Sequence, residues 1–141
     1  MNRLRRCLAF DYGLGSTGVA VGDIQTGVVQ SLGAIKMDKG RINFERFQPL
    51  INDWQPDIFL VGLPLHADGR VQSLTQQARS FSKKLSEYFL IECVEVDERY
   101  STVDARDNLF NLYGRKGLSK AAVDGQSAAL ICQQWLNMQT D

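Results

Sequence analysis

The stretch LAFDYGLGSTGVAVGD, residues 8–23, matches the dinucleotide-binding pattern GxGxxG letter for letter over residues 13–18. That pattern binds pyrophosphate when it follows a strand and opens a helix, because the ligand then lies on N–H groups at the helix N-terminus. Here Gly18 is followed by an apolar run typical of a strand, and no helical pattern begins before Asn43. The carboxylate of Asp11 would also repel a phosphate unless a cation lay between them. We therefore predict a tight glycine-rich hairpin and exclude dinucleotide binding.

The hairpin belongs to a predicted mixed α/β fold. Short apolar runs at residues 7–10, 17–21 and 28–35 predict an antiparallel meander, since strands so close in sequence can be joined only by tight turns. Helical stripes then alternate with apolar strands, which implies parallel strands and right-handed crossovers. The predicted helices cover residues 44–54, 74–88, 102–112 and about 122–136, and the later strands cover residues 58–62 and 91–96. We expect a five-stranded mixed sheet with helices on both faces.

Length and charge limit the function classes. The 141 residues fit one domain over residues 1–141, and 16 Lys and Arg against 16 Asp and Glu leave no net charge. No global basic field therefore draws this chain to nucleic acid, although a local basic patch stays open.

The cysteines and the N-terminus indicate a reducing compartment. Cys7, Cys93 and Cys132 lie far apart in apolar runs, without the spacing of a metal site, so we expect buried, reduced thiols. The apolar run after Arg6 ends at Asp11, which is too short for a signal peptide, and no later run is long enough to span a membrane. We expect a cytoplasmic protein.

Carboxylates follow the predicted central strands at the edge where ligands gather in open α/β sheets. Asp11 closes the first strand, Asp97 and Glu98 follow the last one, and Asp124 lies near the first turn of the final helix. Each has a structural alternative: Asp11 could cap the glycine-rich turn, Asp124 could be a helix N-cap or a carboxylate that stabilises the helix dipole, and the pair at 97 and 98 could be solvated. Their convergence favours an all-oxygen site for Mg²⁺ or Mn²⁺ that acts at phosphorus.

Four stretches resemble a known family in order and spacing. LAFDYGLGSTGVAVGD, VGLPLHADG, VDERYSTVDA and KAAVDGQSAALI are similar to the YqgF (RuvX-like) family, over about residues 8–136. Members are described as Holliday junction resolvases and as nucleases that mature the precursor of small-subunit ribosomal RNA. The resemblance implies a ribonuclease H-like fold for the whole chain.

The resemblance also implies roles for single residues. Asp11 would bridge two metal ions, Glu98 would bind one of them, and Asp124 would hold the other; the family pattern DER selects Glu98 over Asp97. Two positions depart from the pattern. Ser127 stands where related resolvases carry a further acid, and His66 stands where Asn is expected, either as a general base or as an exposed loop side chain.

Polar and basic residues near these acids are candidate nucleic-acid contacts. One group follows Glu98 into a predicted helix N-terminus, which is a ready anion site, and the other forms a basic loop before Asp124. Taken singly, each of them could instead be solvated. The candidates are Arg99, Ser101, Thr102, Arg115, Lys116 and Lys120.

Three candidate functions remain, ranked from the most favoured to the least favoured. The first is a Mg²⁺- or Mn²⁺-dependent endonuclease acting on structured nucleic acid, in pre-16S ribosomal RNA 5′-end maturation or in resolution of branched DNA, with ribosomal precursor particles among its partners. The second is a non-catalytic factor that binds nucleic acid or ribosomes on the same scaffold. The third, an ATP-phosphate site like that of actin-like ATPases, needs a second lobe that 141 residues cannot hold. The number of metals, RNA or DNA as substrate, and the oligomeric state stay open.

Overall fold

The computed structural model describes residues 4–64, 73–97 and 119–139. Its elements alternate as the sequence patterns predict. They are β1 (Arg6–Asp11), β2 (Ser16–Asp23), β3 (Val29–Lys36), α1 (Phe44–Trp54), β4 (Ile58–Leu63), α2 (Ser73–Phe89), β5 (Cys93–Asp97) and α3 (Lys120–Met138). The predicted helix at residues 102–112 lies outside the described residues.

The strands form one mixed sheet in the order β3-β2-β1-β4-β5, with β1 at its centre. The pairs β1–β2 and β2–β3 are antiparallel, whereas β1–β4 and β4–β5 are parallel. The predicted antiparallel meander followed by parallel strands is therefore confirmed.

The GxGxxG stretch leads from one strand of this sheet into the next. Ser16 already belongs to β2, which continues through Gly18 to Asp23, and within residues 4–64 the first helix begins only at Phe44. The helix N-terminus that a dinucleotide fingerprint requires does not follow these glycines. The predicted hairpin is confirmed.

One face of the sheet carries an aromatic core under α1 and α2. Phe10 of β1 lies at its centre, with ring centroids 5.7 Å from Phe47 of α1, 5.9 Å from Phe81 of α2 and 5.6 Å from Phe59 of β4. All four side chains are buried. Edge-on aromatic pairs at such distances add to the hydrophobic gain from burying large rings, so this face anchors α1 and α2.

The other face of the sheet is covered by α3, through smaller side chains. Cys7 and Ala9 of β1 pack against Ile131, Cys132 and Trp135 of α3. The two buried sulfur atoms lie 3.5 Å apart, and both thiols are free. The third thiol, Cys93, is also free and is half-buried. None of the helices in the described residues combines the length and apolar character needed to cross a membrane.

Candidate functional site

The parallel strands β1, β4 and β5 end at one edge of the sheet. Asp11 is the last residue of β1, and Asp97 is the last residue of β5, where it pairs with Leu63 at the end of β4. Neighbouring strands are about 4.8 Å apart, so the ends of β1 and β5 lie about 10 Å from each other across β4. The predicted convergence of acidic strand ends is thus present for Asp11 and Asp97.

Strand alternation assigns Asp11 and Asp97 to different faces of the sheet. Asp11 has the parity of Cys7 and Ala9, which pack against α3, so its side chain points to the α3 face. Asp97 has the parity of Cys93 and Glu95. Those two side chains contact α2 instead: Ser82 Oγ donates to Cys93 Sγ at 2.8 Å, and Arg79 Nε lies 3.9 Å from Glu95 Oε2.

The backbone of Asp97 is nevertheless tied to α3, since Gln134 Nε2 donates to its carbonyl oxygen at 2.9 Å. This bond fixes the end of β5 against the helix that carries Asp124. The backbone at the end of β5 is therefore bound to α3, although strand alternation places the side chain of Asp97 on the α2 face.

Asp124 lies deeper in its helix than the sequence indicates. The helix α3 begins at Lys120, and Ser119 is the N-cap, whose hydroxyl accepts the Ala122 N–H at 3.1 Å. Asp124 is therefore in the second turn, and the first turn has no acidic residue. The interpretation of Asp124 as a helix cap is wrong, because Ser119 already supplies the cap.

The carboxylate of Asp124 is held by two contacts. Ser16 Oγ, at the start of β2, donates to Asp124 Oδ2 at 2.5 Å, and Lys120 Nζ lies 3.1 Å from the same oxygen. The Asp124 side chain is 18% exposed, whereas that of Lys120 is 76% exposed. A partly desolvated carboxylate thus has one fixed hydroxyl donor and one solvated cation, which compensates the cost of its burial.

Glycine 18 brings Asp124 next to the end of β1. It pairs with Asp11 across the β1–β2 ladder, and a Cβ atom added to it would collide with the carbonyl oxygen of Asp124 and lie 3.2 Å from its Cα. The close approach of helix and strand therefore requires glycine at this position. Asp11 and Asp124 flank Gly18 on the α3 face of the sheet, at the edge where β1 ends.

The third predicted acid and most of the predicted nucleic-acid contacts lie outside the described residues. Within the described part of the chain, no three or more His, Cys, Asp or Glu side chains cluster closely enough to hold a metal ion. Lys120 is described and is the cation that pairs with Asp124. The predicted site residues that lie outside the described residues are Glu98, Arg99, Ser101, Thr102, Arg115, Lys116 and His66.

Ser127, the position at which the family resemblance implies a further acid, faces the interior. Its side chain is buried, and its hydroxyl donates to the Val123 carbonyl oxygen one turn back at 3.1 Å. Gly125 of the same helix contacts β3, since an added Cβ would collide with Ser31 Oγ and lie 2.8 Å from the Gly33 nitrogen. This stretch of α3 is packed against the sheet by small residues.

Sequence reasoning missed Ser16, whose hydroxyl contacts Asp124. The residue stands inside the glycine-rich stretch, where its composition predicts only a turn. Its partner lies 108 residues away along the chain, so no local signal marks the contact.

Tyr12, directly after Asp11, points to the opposite face and is buried there. Its ring centroid is 4.9 Å from that of Phe81, and burial raises the pKa of its hydroxyl. The group therefore keeps its proton at neutral pH and donates to the Gly40 carbonyl oxygen at 2.8 Å. Asp11, the last residue of β1, and Tyr12, which follows it, therefore point to opposite faces of the sheet at one edge.

Comparison with known proteins identifies relatives of nearly the full chain. The family model described as "RuvX: Holliday junction resolvase" matches residues 5–138. A protein of Serratia proteamaculans is 42% identical over 135 residues, 96% of each chain, and one of Aeromonas salmonicida is 44% identical over 135 residues, again 96% of each chain. Both carry the name "Putative pre-16S rRNA nuclease".

Solved structures share the fold at low sequence identity. Thermus thermophilus RuvC, solved in complex with a Holliday junction substrate, has a TM-score of 0.56 and 13% identity, covering 96% of this chain and 97% of that one. The yeast mitochondrial Holliday junction resolvase has a TM-score of 0.59 and 12% identity, covering 99% of this chain and 80% of that one. The predicted ribonuclease H-like fold is confirmed. With its family model matched over almost every residue, this chain belongs to the RuvX family of Holliday junction resolvases.

Proposed function

We propose that this chain is a cytoplasmic, single-domain, divalent-metal-dependent endonuclease, with Asp11, Glu98 and Asp124 as its catalytic carboxylates. One observation carries the proposal: Asp11 and Asp124 flank Gly18 at the sheet edge, in a chain whose family is one of nucleases. Asp11 comes from the end of a central strand and Asp124 from a helix more than 100 residues later in the chain, yet both lie next to Gly18.

The parity of β5 supports Glu98 as the third acid. Val94 and Val96 pack on the α3 face, where the side chain of Asp11 also points, and we propose that Glu98 continues this alternation one residue beyond the end of β5. Asp97 has the parity of the residues that contact α2. This agrees with the preference for Glu98 that the family pattern implies.

The donor chemistry of the described acids fits a hard divalent cation. Asp11 and Asp124 offer only carboxylate oxygens, which Mg²⁺ and Mn²⁺ prefer, and Asp124 already has the ammonium group of Lys120 at 3.1 Å. When bound, ions held by Asp11, Glu98 and Asp124 would activate a water for attack at phosphorus and stabilise the leaving oxygen. The outcome would be a 5′-phosphate and a 3′-hydroxyl.

The chain's own residues orient this site. Ser16 fixes one oxygen of Asp124 by its hydroxyl, and Gly18 lets the helix backbone lie directly on β2. Lys120, largely exposed, is free to turn from Asp124 toward a substrate phosphate, where a cation is stabilising. These contacts set the position of a carboxylate before substrate arrives, which lowers the cost of organising the reaction.

The proposed substrate is structured nucleic acid. The relatives' name points to the 5′ end of pre-16S ribosomal RNA, within ribosomal precursor particles, and the family description points to four-way DNA junctions. The remaining proposed contacts to the sugar–phosphate backbone are Arg99, Ser101, Thr102, Arg115, Lys116 and Lys120.

The test is cleavage by the Asp11→Asn variant with Mg²⁺ or Mn²⁺, on an RNA spanning the 5′ end of 16S ribosomal RNA and, separately, on a four-way DNA junction. We expect cleavage to fall by at least about 100-fold, as when one preorganised catalytic group is lost, with unchanged folding. Asp53→Asn, an exposed acid on α1, is the matched control and should cleave normally. Absence of cleavage by the unmodified protein on both substrates, or equal cleavage by Asp11→Asn, would contradict the proposal and favour a non-catalytic binding factor.

A further inference from the structure

A basic groove lies at the same sheet edge, on the face opposite Asp124. It is formed between the turn at residues 38–41 and the helix α2, and it encloses about 180 Å³. We name the basic groove by the residues that line it: Tyr12, Lys39, Gly40, Arg41, Ile42, Gln77, Ser80, Phe81 and Lys84. Three of these side chains are cationic and none is acidic.

The turn that forms one wall is built to a fixed shape. Lys39 and Gly40 both have positive φ, 53° and 82°, and Arg41 N–H donates to the Asp38 carbonyl oxygen at 3.0 Å. Tyr12 Oη donates to the Gly40 carbonyl oxygen, and the Gly40 N–H donates to that of Leu14, each at 2.8 Å. The turn is thereby fastened to the segment that directly follows Asp11.

The cations of the basic groove have no acidic partner among residues 4–64, 73–97 and 119–139. Lys39, Arg41 and Lys84 are exposed, and none of them forms an ion pair with a carboxylate in the described part of the chain. Other cations on the same surfaces are paired: Arg46 with Asp38 and Arg79 with Glu95. The positive charge of the groove is therefore available to a ligand.

The polar groups of the groove suit a phosphodiester. Ser80 and Gln77 add exposed hydrogen-bonding side chains to the three cations, and the cavity has room for a phosphate group with several waters. The buried rings of Tyr12 and Phe81 form its floor. Because Tyr12 comes directly after Asp11 at the end of β1, a nucleic-acid strand that passes over this sheet edge would meet the acidic site and the basic groove in succession.

We propose that the basic groove binds backbone phosphates of the nucleic-acid strand that passes over the sheet edge next to Asp11. The inference rests on the proposed function. It adds where the nucleic-acid strand lies on the protein beyond the bond that is cleaved. It assigns contacts to Lys39, Arg41 and Lys84, which lie on the face opposite Asp124 and its partner Lys120. The contacts are to phosphate, so they position the strand without reading its sequence.

The salt dependence of binding tests the groove directly. Each phosphate contact releases counterions, so its removal lowers the slope of log K against log salt concentration by about 0.7 on single strands and about 0.9 on duplex. Binding of a fluorescein-labelled four-way DNA junction and of a labelled single strand is measured by anisotropy. All proteins carry Asp11→Asn, which prevents cleavage during the titration.

Neighbouring lysines on α2 supply the matched pair. Lys84 lines the basic groove and Lys83 does not, although both are exposed and carry the same charge. We expect Lys84→Gln to lower the slope by about 0.7–0.9, Lys84→Arg to preserve it, and Lys83→Gln to leave it unchanged. The triple variant Lys39→Gln, Arg41→Gln, Lys84→Gln should lower the slope by about 2–3.

Equal salt-dependence slopes for Lys84→Gln and Lys83→Gln, or an unchanged slope in the triple variant, would overturn the groove proposal. An acidic protein would then be the better candidate ligand for this surface. The single variants decide the matter if the triple variant does not fold. The nuclease proposal fails separately: it is overturned by cleavage that survives Asp11→Asn, whatever the slopes show.

Discussion

The two faces of the sheet are built on opposite packing principles. Under α1 and α2, large rings such as Phe10 and Phe47 fill the space between helix and strand. Under α3, glycines at positions 18, 22 and 125 leave no space, so helix and strand come into direct contact. The aromatic face holds the fold together, whereas the glycine face sets the distance between Asp124 and the end of β1.

The two faces differ in how far their contacts can adjust to a substitution. A side chain in the aromatic core can adjust its rotamer, but the contact between Gly18 and the backbone of Asp124 leaves no group that can give way. Asp11 and Asp124 lie on the glycine face, and the basic groove lies on the aromatic one. We therefore expect substitutions in the aromatic core to lower mainly the free energy of unfolding. Substitutions on the glycine face should lower cleavage by more than their effect on stability explains.

The largest effect on stability is expected from Phe10→Ala. Removal of a fully buried ring in contact with three others should lower the free energy of unfolding by about 3–5 kcal/mol. The measurement is urea denaturation, and the exposed Leu14→Ala is the control. Cleavage by the folded fraction should survive at low temperature. A loss below about 1 kcal/mol would contradict the assignment of the aromatic face as the main core.

Gly18→Ala tests the glycine face. The added methyl group collides with the carbonyl oxygen of Asp124, so we expect a loss of about 1–3 kcal/mol in the free energy of unfolding. Cleavage measured well below the melting temperature should fall as well, because the helix must shift away from β2. Gly15→Ala is the matched control in the same stretch, since an added Cβ there meets no heavy atom within 4 Å. Equal stability and equal cleavage in the two variants would show that the close approach of Gly18 to Asp124 does not contribute to activity.

A smaller effect is expected from Ser16→Ala, which removes the hydroxyl that contacts Asp124. Loss of a group that orients a metal ligand typically costs about 10–100-fold in metal affinity or activity. We expect the Mn²⁺ concentration for half-maximal cleavage to rise about tenfold, with a change in unfolding free energy of about 1 kcal/mol.

Ser16→Thr retains a hydroxyl and is the conservative comparison. It should recover most of the metal affinity. A variant Ser16→Ala that lost stability but kept its metal dependence would show that this hydrogen bond is structural only.

Local patterns predicted most of the fold. The apolar runs place all five strands to within two residues at each end, and the stripe through Phe44 and Trp54 matches α1 at both of its ends. The change of period between strand and helix is a local property, so the sequence suffices to locate these elements. The hairpin could be recognised because a strand, and no helix, follows Gly18.

The site was less accessible to sequence reasoning. Asp11 was identifiable because it ends a central strand, but the turn of α3 that carries Asp124 was misplaced. Ser119 and Lys120 open the helix, whereas their position after a basic, glycine-containing stretch favoured a loop. The contact of Ser16 with Asp124 depends on packing between distant segments, for which one sequence has no local signal.

We propose that Asp11, Glu98 and Asp124 share one divalent-metal site. Its most direct test is Mn²⁺-dependent thermal stabilisation of the unmodified protein, of Asp11→Asn, Glu98→Gln and Asp124→Asn, and of the double variant Asp11→Asn, Asp124→Asn. At Mn²⁺ 100-fold above its dissociation constant, binding to the native state alone adds about 2.7 kcal/mol. We predict that each single variant loses this gain and that the double variant loses no more. Stabilisation that persists in all single variants, or losses that simply add in the double variant, would contradict a shared site.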